Sequence, residues 1–221
     1  ASTRVSALIG GQADIIDANI QPRNQIEGSE NRIVSAKEQS YMWIFMPGCY
    51  EPGLPCQKKE FRQAMDYAVD KELILNALYG DAAEVTGWTV AGPNSLGYYD
   101  GLDPFPYDTE KARDLLAQAG YPGGDGLPTQ VINTWDGAVP FLPEQAQLIA
   151  QMWRDNLGID AEGKVGEEVA TRERWFNGSL EGEWIFRDNE ARWDAAVGIN
   201  SLYAVYDAAV HLGGKRDDLQ A

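Results

Sequence analysis

The apolar residues between positions 61 and 69 recur at steps of three and four, which is the spacing of one face of an α-helix. Arg62, Gln63, Asp66 and Asp70 occupy the remaining faces, and we expect Arg62 to form an ion pair with a nearby acid. The pattern predicts a buried amphipathic helix. Its apolar stripe consists of Phe61, Ala64, Met65, Ala68 and Val69.

Helical and strand-like patterns alternate along the rest of the chain. Asp108 is a suitable N-cap for a helix that Gly120 and Pro122 end, and Pro143 and Gly158 bound another. The alternation predicts an α/β fold, with a mixed β-sheet of about five or six strands flanked by helices. The further predicted helices cover residues 4–9, 21–27, 71–79, 168–177 and 203–212, and the predicted strands cover 13–16, 31–37, 40–46, 129–134, 159–165 and 193–197.

Two long segments are predicted to be irregular. Residues 81–106 are rich in Gly and Pro, and residues 178–190 form a polar insertion. A long connection inside a compact domain is usually functional or packed against the core. We therefore expect the aromatic residues in and beside the first segment to anchor it by burial. These are Trp88, Tyr98, Tyr99, Phe105 and Tyr107.

The composition narrows the possible functions. The 221 residues include 18 Lys and Arg against 34 Asp and Glu, giving a net charge of −16. Such a field repels nucleic acid and anionic lipid, so we expect neither as a partner. The sequence contains no apolar run of about 18 residues, the length that spans a bilayer, so no membrane insertion is expected. The length favours a single domain over residues 1–221.

The two cysteines, Cys49 and Cys56, bracket a turn-forming loop that contains two prolines and a glycine. In an oxidising compartment a disulfide is the favoured state of such a pair. The alternative is a zinc site, which would need further ligands, and the sole histidine, His211, is distant in sequence.

The chain lacks the sequence motifs of common enzyme chemistry, because no phosphate-binding glycine loop, HExxH or GxSxG is present. Neither cofactor nor metal is therefore expected. One enzymatic alternative remains, a secreted acid glycoside hydrolase, which would use two carboxylates about 5 to 10 Å apart. Paired acids are available at Glu167 and Glu168, and at Glu181 and Glu183.

Two sequence segments resemble those of a known family. They are similar in sequence and in order to segments of the family 5 extracellular solute-binding proteins, the peptide- and nickel-type receptors of ABC importers. The two segments are residues 61–72, FRQAMDYAVDKE, and residues 107–123, YDTEKARDLLAQAGYPG. The resemblance implies a non-enzymatic receptor that captures an oligopeptide or another small solute in a cleft outside the cytoplasm. An oligosaccharide receptor of the same family is the alternative.

The resemblance also implies an architecture. The chain would form one lobe of a type II periplasmic binding protein, and residues 1–221 would be a fragment of a larger receptor with two lobes. The missing lobe of the same chain and the ABC permease subunits are the implied partners. The first residues, Ala1 to Thr3, include neither an initiator Met nor a signal segment, which agrees with a processed or cut chain.

The resemblance suggests ligand contacts in two strands. Residues 40–46 match a strand that reaches the cleft in family members, and Tyr41 and Trp43 share one of its faces. Residues 193–203 resemble a strand that leads into the cleft, but Leu202 occupies the place of an Asp that pairs with the α-ammonium group of peptides in relatives. That difference favours a neutral solute such as an oligosaccharide. The expected ligand-binding residues are Tyr41, Trp43, Glu168, Asn200, Ser201, Leu202 and Tyr203.

Overall fold

A four-stranded mixed sheet is the centre of the computed structural model, which describes residues 2–18, 22–35, 40–49, 51–87, 92–99, 101–137, 139–190 and 194. The strands lie in the order β1-β4-β2-β3. β4 runs antiparallel to β1 and parallel to β2, and β2 runs parallel to β3. Their bounds are Ser40–Phe45 (β1), Gln130–Trp135 (β2), Ala161–Gly166 (β3) and Trp184–Glu190 (β4).

Seven α-helices accompany the sheet in the described part of the chain, and most begin or end within a few residues of the predicted bounds. The Asp108 carboxylate accepts a hydrogen bond from the backbone N–H of Lys111, as expected of an N-cap. Gly158 ends another helix in the left-handed conformation, with φ of 73°. The helices are Ser2–Ile9 (α1), Arg23–Glu27 (α2), Lys59–Tyr67 (α3), Lys71–Leu78 (α4), Thr109–Gln118 (α5), Leu142–Leu157 (α6) and Glu168–Phe176 (α7).

The larger hydrophobic core lies between one face of the sheet and helices α3, α5 and α6. The predicted apolar stripe of α3 is buried in it, with Phe61 stacked on Trp184 of β4 at a centroid distance of 6.1 Å. Trp153 of α6 donates a hydrogen bond from Nε1 to the carbonyl oxygen of Met65 at 2.8 Å, which ties α6 to the end of α3. This face of the sheet therefore serves as a scaffold.

Gly163 allows α6 to lie directly against β3. A Cβ atom at this position would lie 3.0 Å from the carbonyl carbon of Ala146 and from the backbone nitrogen of Gln147. Because both neighbours are helix backbone, neither can rotate away as a side chain could. The absence of a side chain at this position thus sets the distance between helix and sheet.

The opposite face of the sheet carries an aromatic cluster covered by α7. Phe45 of β1 packs against Trp175 of α7 at a centroid distance of 5.2 Å. Since β2 leads into α6 on the first face and β3 leads into α7 on this one, the two connections leave the sheet on opposite sides. The buried members of the aromatic cluster are Tyr41, Trp43, Phe45, Trp135, Trp175, Leu180 and Ile185.

Two predicted strands are not found in the described residues, and one segment predicted to be irregular contains a strand. Residues 13–16 and 31–35 have no regular secondary structure, and Val34 is 80% exposed. The partner of β1 is therefore β4, which lies inside the segment 178–190 that was predicted to be irregular. The described residues supply four strands, fewer than predicted. The predicted strand 193–197 and helix 203–212 lie outside the described residues, apart from Asp194.

The aromatic residues near the segment 81–106 do not anchor it as predicted. Tyr99 is 63% exposed, and Tyr107 is also exposed, while Tyr98 is half-buried. Phe105 stacks on Tyr67 at 5.0 Å but keeps 39% of its surface exposed. Trp88 lies outside the described residues. The stacking of Phe105 on Tyr67, with Phe105 partly exposed, therefore holds this segment in place of the expected burial in the core.

The predicted disulfide between Cys49 and Cys56 is confirmed, with the two Cα atoms 5.5 Å apart. Cys56 is fully buried beside α3. Arg62 donates hydrogen bonds to the carbonyl oxygens of Cys56 and Gln57, and among the described residues it forms these bonds in place of the ion pair expected for it. The loop after β1 is therefore joined covalently and through α3 to the core.

Replacing both Cys49 and Cys56 with Ser should lower the free energy of unfolding by about 2 to 3 kcal/mol, because the crosslink restricts a short loop in the unfolded chain. Urea unfolding of the double variant measures the loss. Intact mass after alkylation provides the control, since the unreduced protein should add no label. Two alkylated thiols in that sample would show that the bond is absent.

Gly163→Ala should lower the free energy of unfolding by about 1 to 3 kcal/mol, because the added methyl group forces α6 away from β3. Gly137→Ala is the control, since a Cβ atom there would meet only side-chain atoms at 3.5 Å. Thermal unfolding of both variants tests the contact. Equal stabilities would contradict the close approach of α6.

Candidate ligand-binding site

The carboxyl edge of the parallel strands is the place where the chain can form a crevice. After β2 the chain passes to α6 on one face, and after β3 it passes to α7 on the other. Neighbouring parallel strands whose connections diverge leave a gap between their carboxyl ends, and ligands of open α/β sheets bind at such points. β1 is antiparallel, so its first residues, beginning at Ser40, lie at the same edge.

The first turn of α7 presents charged groups at this edge. Glu167 is the N-cap and accepts a hydrogen bond from the backbone N–H of Ala170 at 2.9 Å. Hydrogen bonds from Ala170 and Val169 lower the pKa of Glu167 from its usual value. Glu168 follows and pairs through Oε1 with Nε of Arg172, one turn later, at 2.8 Å.

Arg172 lies over the aromatic cluster. Its guanidinium carbon is 4.9 Å from the ring centroid of Trp135, the last residue of β2. This is a cation–π arrangement in which the indole face attracts the positive charge. Glu168 on one side and Trp135 on the other therefore hold the guanidinium against the sheet.

Arg187 occupies the corresponding position on β4. It is paired with Trp43 across the two strands, and its guanidinium carbon lies 5.7 Å from the ring centroid of Trp175. Nε donates a hydrogen bond to the carbonyl oxygen of Asp188 at 2.7 Å. Burial lowers the pKa of Arg187, and the positive charge of Arg172 lowers it further. The two guanidinium groups are thus electrostatic neighbours.

Trp43 is deeply buried, and its indole N–H donates no hydrogen bond to any described residue. It lies between Tyr41 and Phe45, with centroid distances of 6.2 and 4.6 Å, and only 8% of its surface is exposed. Its Nε1 atom finds no hydrogen-bond partner among the described residues. Buried donors without partners are uncommon because they lose their hydration without compensation.

The structure brings three of the expected ligand-binding residues to one region. Tyr41 and Trp43 lie on the aromatic face, and both Tyr41 and Glu168 act electrostatically on Arg187, in the direction that raises its pKa. None of these residues is shown in contact with a ligand, so their binding role stays a prediction. The other four, Asn200, Ser201, Leu202 and Tyr203, lie outside the described residues.

Sequence reasoning missed Trp135, Arg172 and Arg187. The four-residue step from Glu168 to Arg172 is a helical ion-pair spacing that could have identified Arg172. Arg187 was missed because its segment, residues 178–190, is predicted from the sequence to be irregular. Only the pairing of β4 with β1 places this arginine opposite Trp43.

Two further features concern metal binding and membrane insertion. Within the described part of the chain, no group of three or more His, Cys, Asp or Glu side chains is arranged to hold a metal ion. Among the same residues, no helix has the length and apolar character needed to cross a membrane.

Comparison with known proteins identifies the family. Residues 1–191 match the family described as bacterial extracellular solute-binding proteins, family 5 Middle. The chain therefore belongs to the family 5 solute-binding proteins, and the resemblance noted in its sequence is confirmed.

Individual relatives agree with this assignment. Heme-binding protein A of Haemophilus influenzae is 32% identical over 181 residues, covering 81% of this chain and 32% of the relative. The glutathione-binding protein GsiB of Salmonella choleraesuis is 37% identical over 149 residues, covering 63% of this chain and 27% of the relative. The chain thus spans about a third of the length of the curated relatives it matches.

A solved structure shows the fold. The periplasmic binding protein DppA of Helicobacter pylori, in complex with the peptide STSA, superimposes with a TM-score of 0.68 at 27% identity, covering 91% of this chain and 38% of DppA. The predicted fold class, a mixed α/β arrangement of the periplasmic binding protein type, is therefore confirmed.

Trp43→Phe should cost less stability than Trp153→Phe by about 1 to 3 kcal/mol. Both changes remove an indole ring, but of the two N–H groups only that of Trp153 has a partner among the described residues, the carbonyl oxygen of Met65. Chemical denaturation of the two variants gives the difference. Equal losses would mean that Nε1 of Trp43 has a partner in the folded chain.

Proposed function

We propose that this chain forms one lobe of an extracytoplasmic solute-binding protein of an ABC importer, and that its aromatic face is one wall of the solute cleft. The observation that carries the proposal is the grouping of Trp43, Trp135, Arg172 and Arg187 on the face where the sheet connections diverge. Aromatic rings with a few polar groups are typical of small-molecule sites.

A single lobe would leave much of a bound solute in contact with water, so the proposed binding mechanism requires a second lobe. One wall covers only part of a solute, whereas bound small molecules usually lose most of their contact with water. A second lobe of the same chain would close over the solute by hinge bending, and the permease subunits would recognise the closed form. The fraction of the relatives' length that this chain covers supports the presence of a second lobe.

The ligand class is proposed from the names of the relatives. A heme-binding protein, a glutathione-binding protein and a complex with a tetrapeptide are among them. An oligopeptide or a similarly sized small solute is thus the favoured ligand. An oligosaccharide is the second candidate, because Leu202 stands where the sequence resemblance implies an Asp that pairs with the α-ammonium group of a peptide.

The glycoside hydrolase alternative is disfavoured by the state of its candidate carboxylates. A general acid needs a raised pKa, but the pKa of Glu167 is lowered. Glu168 is paired with Arg172, and Glu183 accepts a hydrogen bond from Nδ2 of Asn133 at 2.7 Å. These contacts explain three of the four candidate acids as structural groups.

The natural full-length protein should bind a peptide-sized solute without changing it. Binding should raise the free energy of unfolding by about 2.7 kcal/mol at a ligand concentration 100-fold above the Kd. Thermal shift measurements with the tetrapeptide STSA, glutathione and maltotriose test this, and mass spectrometry of the recovered ligand tests for turnover.

The 221-residue chain alone is the control, and its affinity should be lower because it supplies one wall only. Hydrolysis of maltotriose would contradict the receptor function. Equal affinity for the lobe and the full-length protein would contradict the two-walled cleft.

A further inference from the structure

Tyr79 joins three elements at the carboxyl edge of the parallel strands. It ends α4, and its buried hydroxyl group donates a hydrogen bond to the carbonyl oxygen of Pro140, in the turn between β2 and α6. The same hydroxyl accepts a hydrogen bond from Nε2 of Gln145, in the first turn of α6, at 2.8 Å. Nε2 of Gln145 also lies 3.0 Å from Sδ of Met42 on β1. Groups from β1, from α6 and from the turn after β2 therefore meet at one side chain.

Phe141, which follows Pro140 in this turn, has a left-handed backbone conformation. Its φ is 68°, and no other non-glycine residue in the described part of the chain has a positive φ. A residue with a side chain keeps this conformation only where its surroundings hold it there. The ring of Phe141 packs edge-on against the ring of Tyr79, with the centroids 5.5 Å apart and the planes at 82°. Tyr79 thus contacts the strained turn through both its hydroxyl and its ring.

Open space borders the turn beside these contacts. A cavity of about 390 Å³ is lined in part by Tyr79, Phe141 and Leu78, and Arg23 and Asp81 also line it. The turn therefore has room to move when the contacts with Tyr79 are lost.

The hydroxyl of Tyr79 is a permanent donor at neutral pH. Burial raises the pKa of Tyr79, and the negative charges of Glu144 and Asp188 raise it further, while the hydrogen bond from Gln145 acts in the opposite direction. The unperturbed pKa of a tyrosine is already about 10. The bond to Pro140 is thus present at every pH at which the protein would meet its solute.

The turn lies where the solute wall is expected. Pro140 and Phe141 connect β2 to α6, beside the point at which the connections of β2 and β3 diverge. Strained backbone that its surroundings hold in place is concentrated at ligand sites. A wall that already has its binding conformation loses less free energy to ordering when the solute arrives.

We propose that Tyr79 is a positioning residue for solute binding, because it holds the turn at Pro140 and Phe141 in the left-handed conformation and so forms this edge of the cleft before the solute arrives. Tyr79 acts through the turn and needs no contact with the solute. The inference rests on the proposed solute-binding function and adds to it a preorganised edge.

Tyr79→Phe in the natural full-length protein keeps the ring and removes the hydroxyl. Without the bond to Pro140, the backbone amides of residues 139–145 should exchange with deuterium about fivefold faster than in wild type. The probes are the tetrapeptide STSA, glutathione and maltotriose. Calorimetry should show about fivefold weaker binding of each probe that wild type binds, since fewer molecules have the competent turn. With that probe bound, exchange of the turn should return to the wild-type rate.

Tyr67→Phe is the matched control. Tyr67 is as buried as Tyr79, and its hydroxyl accepts a hydrogen bond from Nζ of Lys111 at 2.8 Å. It ends α3 beside Ala68, whose carbonyl oxygen is bonded by Asn156 in the last turn of α6, at the end of α6 away from the turn. Because its bond is distant from the turn, the variant should bind each probe within about twofold of wild type.

Phe141→Gly tests whether Tyr79 acts through the strained turn. Glycine adopts a φ of 68° without steric cost, so the turn no longer needs an anchor. In the Phe141→Gly background, Tyr79→Phe should therefore weaken binding by less than about twofold.

Several outcomes would overturn the positioning role and leave the receptor function standing. These are an unchanged affinity or exchange rate in Tyr79→Phe, an equal loss of affinity in Tyr67→Phe, and the same loss from Tyr79→Phe in both backgrounds. Failure of wild type to bind any of the three probes would contradict the receptor function and the positioning role together. Urea unfolding of each variant separates loss of binding from loss of folding.

Discussion

Burial of the sheet on both faces is the constraint on which the rest of this structure depends. Side chains alternate along each strand, so neighbouring residues must satisfy two different environments. On β4, Trp184 and Phe186 enter the core beneath α3 and α6, whereas Ile185 enters the aromatic cluster beneath α7. β4 therefore contributes side chains to both cores, and within the sheet it lies between β1 and β2.

The same constraint separates scaffold from site. The face against α6 is closed by direct backbone contact at Gly163 and by the hydrogen bond from Trp153 to Met65. The other face is covered by the short helix α7, and it holds two arginines and a tryptophan whose N–H has no described partner. The two arginines and the indole N–H of Trp43 therefore lie on one side of the sheet, where the sheet connections diverge.

The sequence predicted the helices better than the strands, and the reason is physical. A helix such as α3 shows its buried side as a stripe, and caps such as Asp108 and Gly158 mark the ends by local chemistry. A strand buried on both faces shows no alternation, so β4, with its polar end Arg187 to Glu190, was read as irregular. The strand predicted at residues 31–37 is wrong for the opposite reason, because Ile33 and Val34 favour strands locally but are exposed. Arg187 joined the candidate site only through strand pairing, which no local pattern encodes.

The central claim is that the aromatic face is a wall of the solute cleft. A crystal structure of the natural full-length protein with its co-purified or added solute tests it most directly. We expect the solute to lie at the carboxyl ends of the strands on this face, covered on its other side by a second lobe. A solute bound elsewhere, away from the carboxyl ends of these strands, would contradict the account.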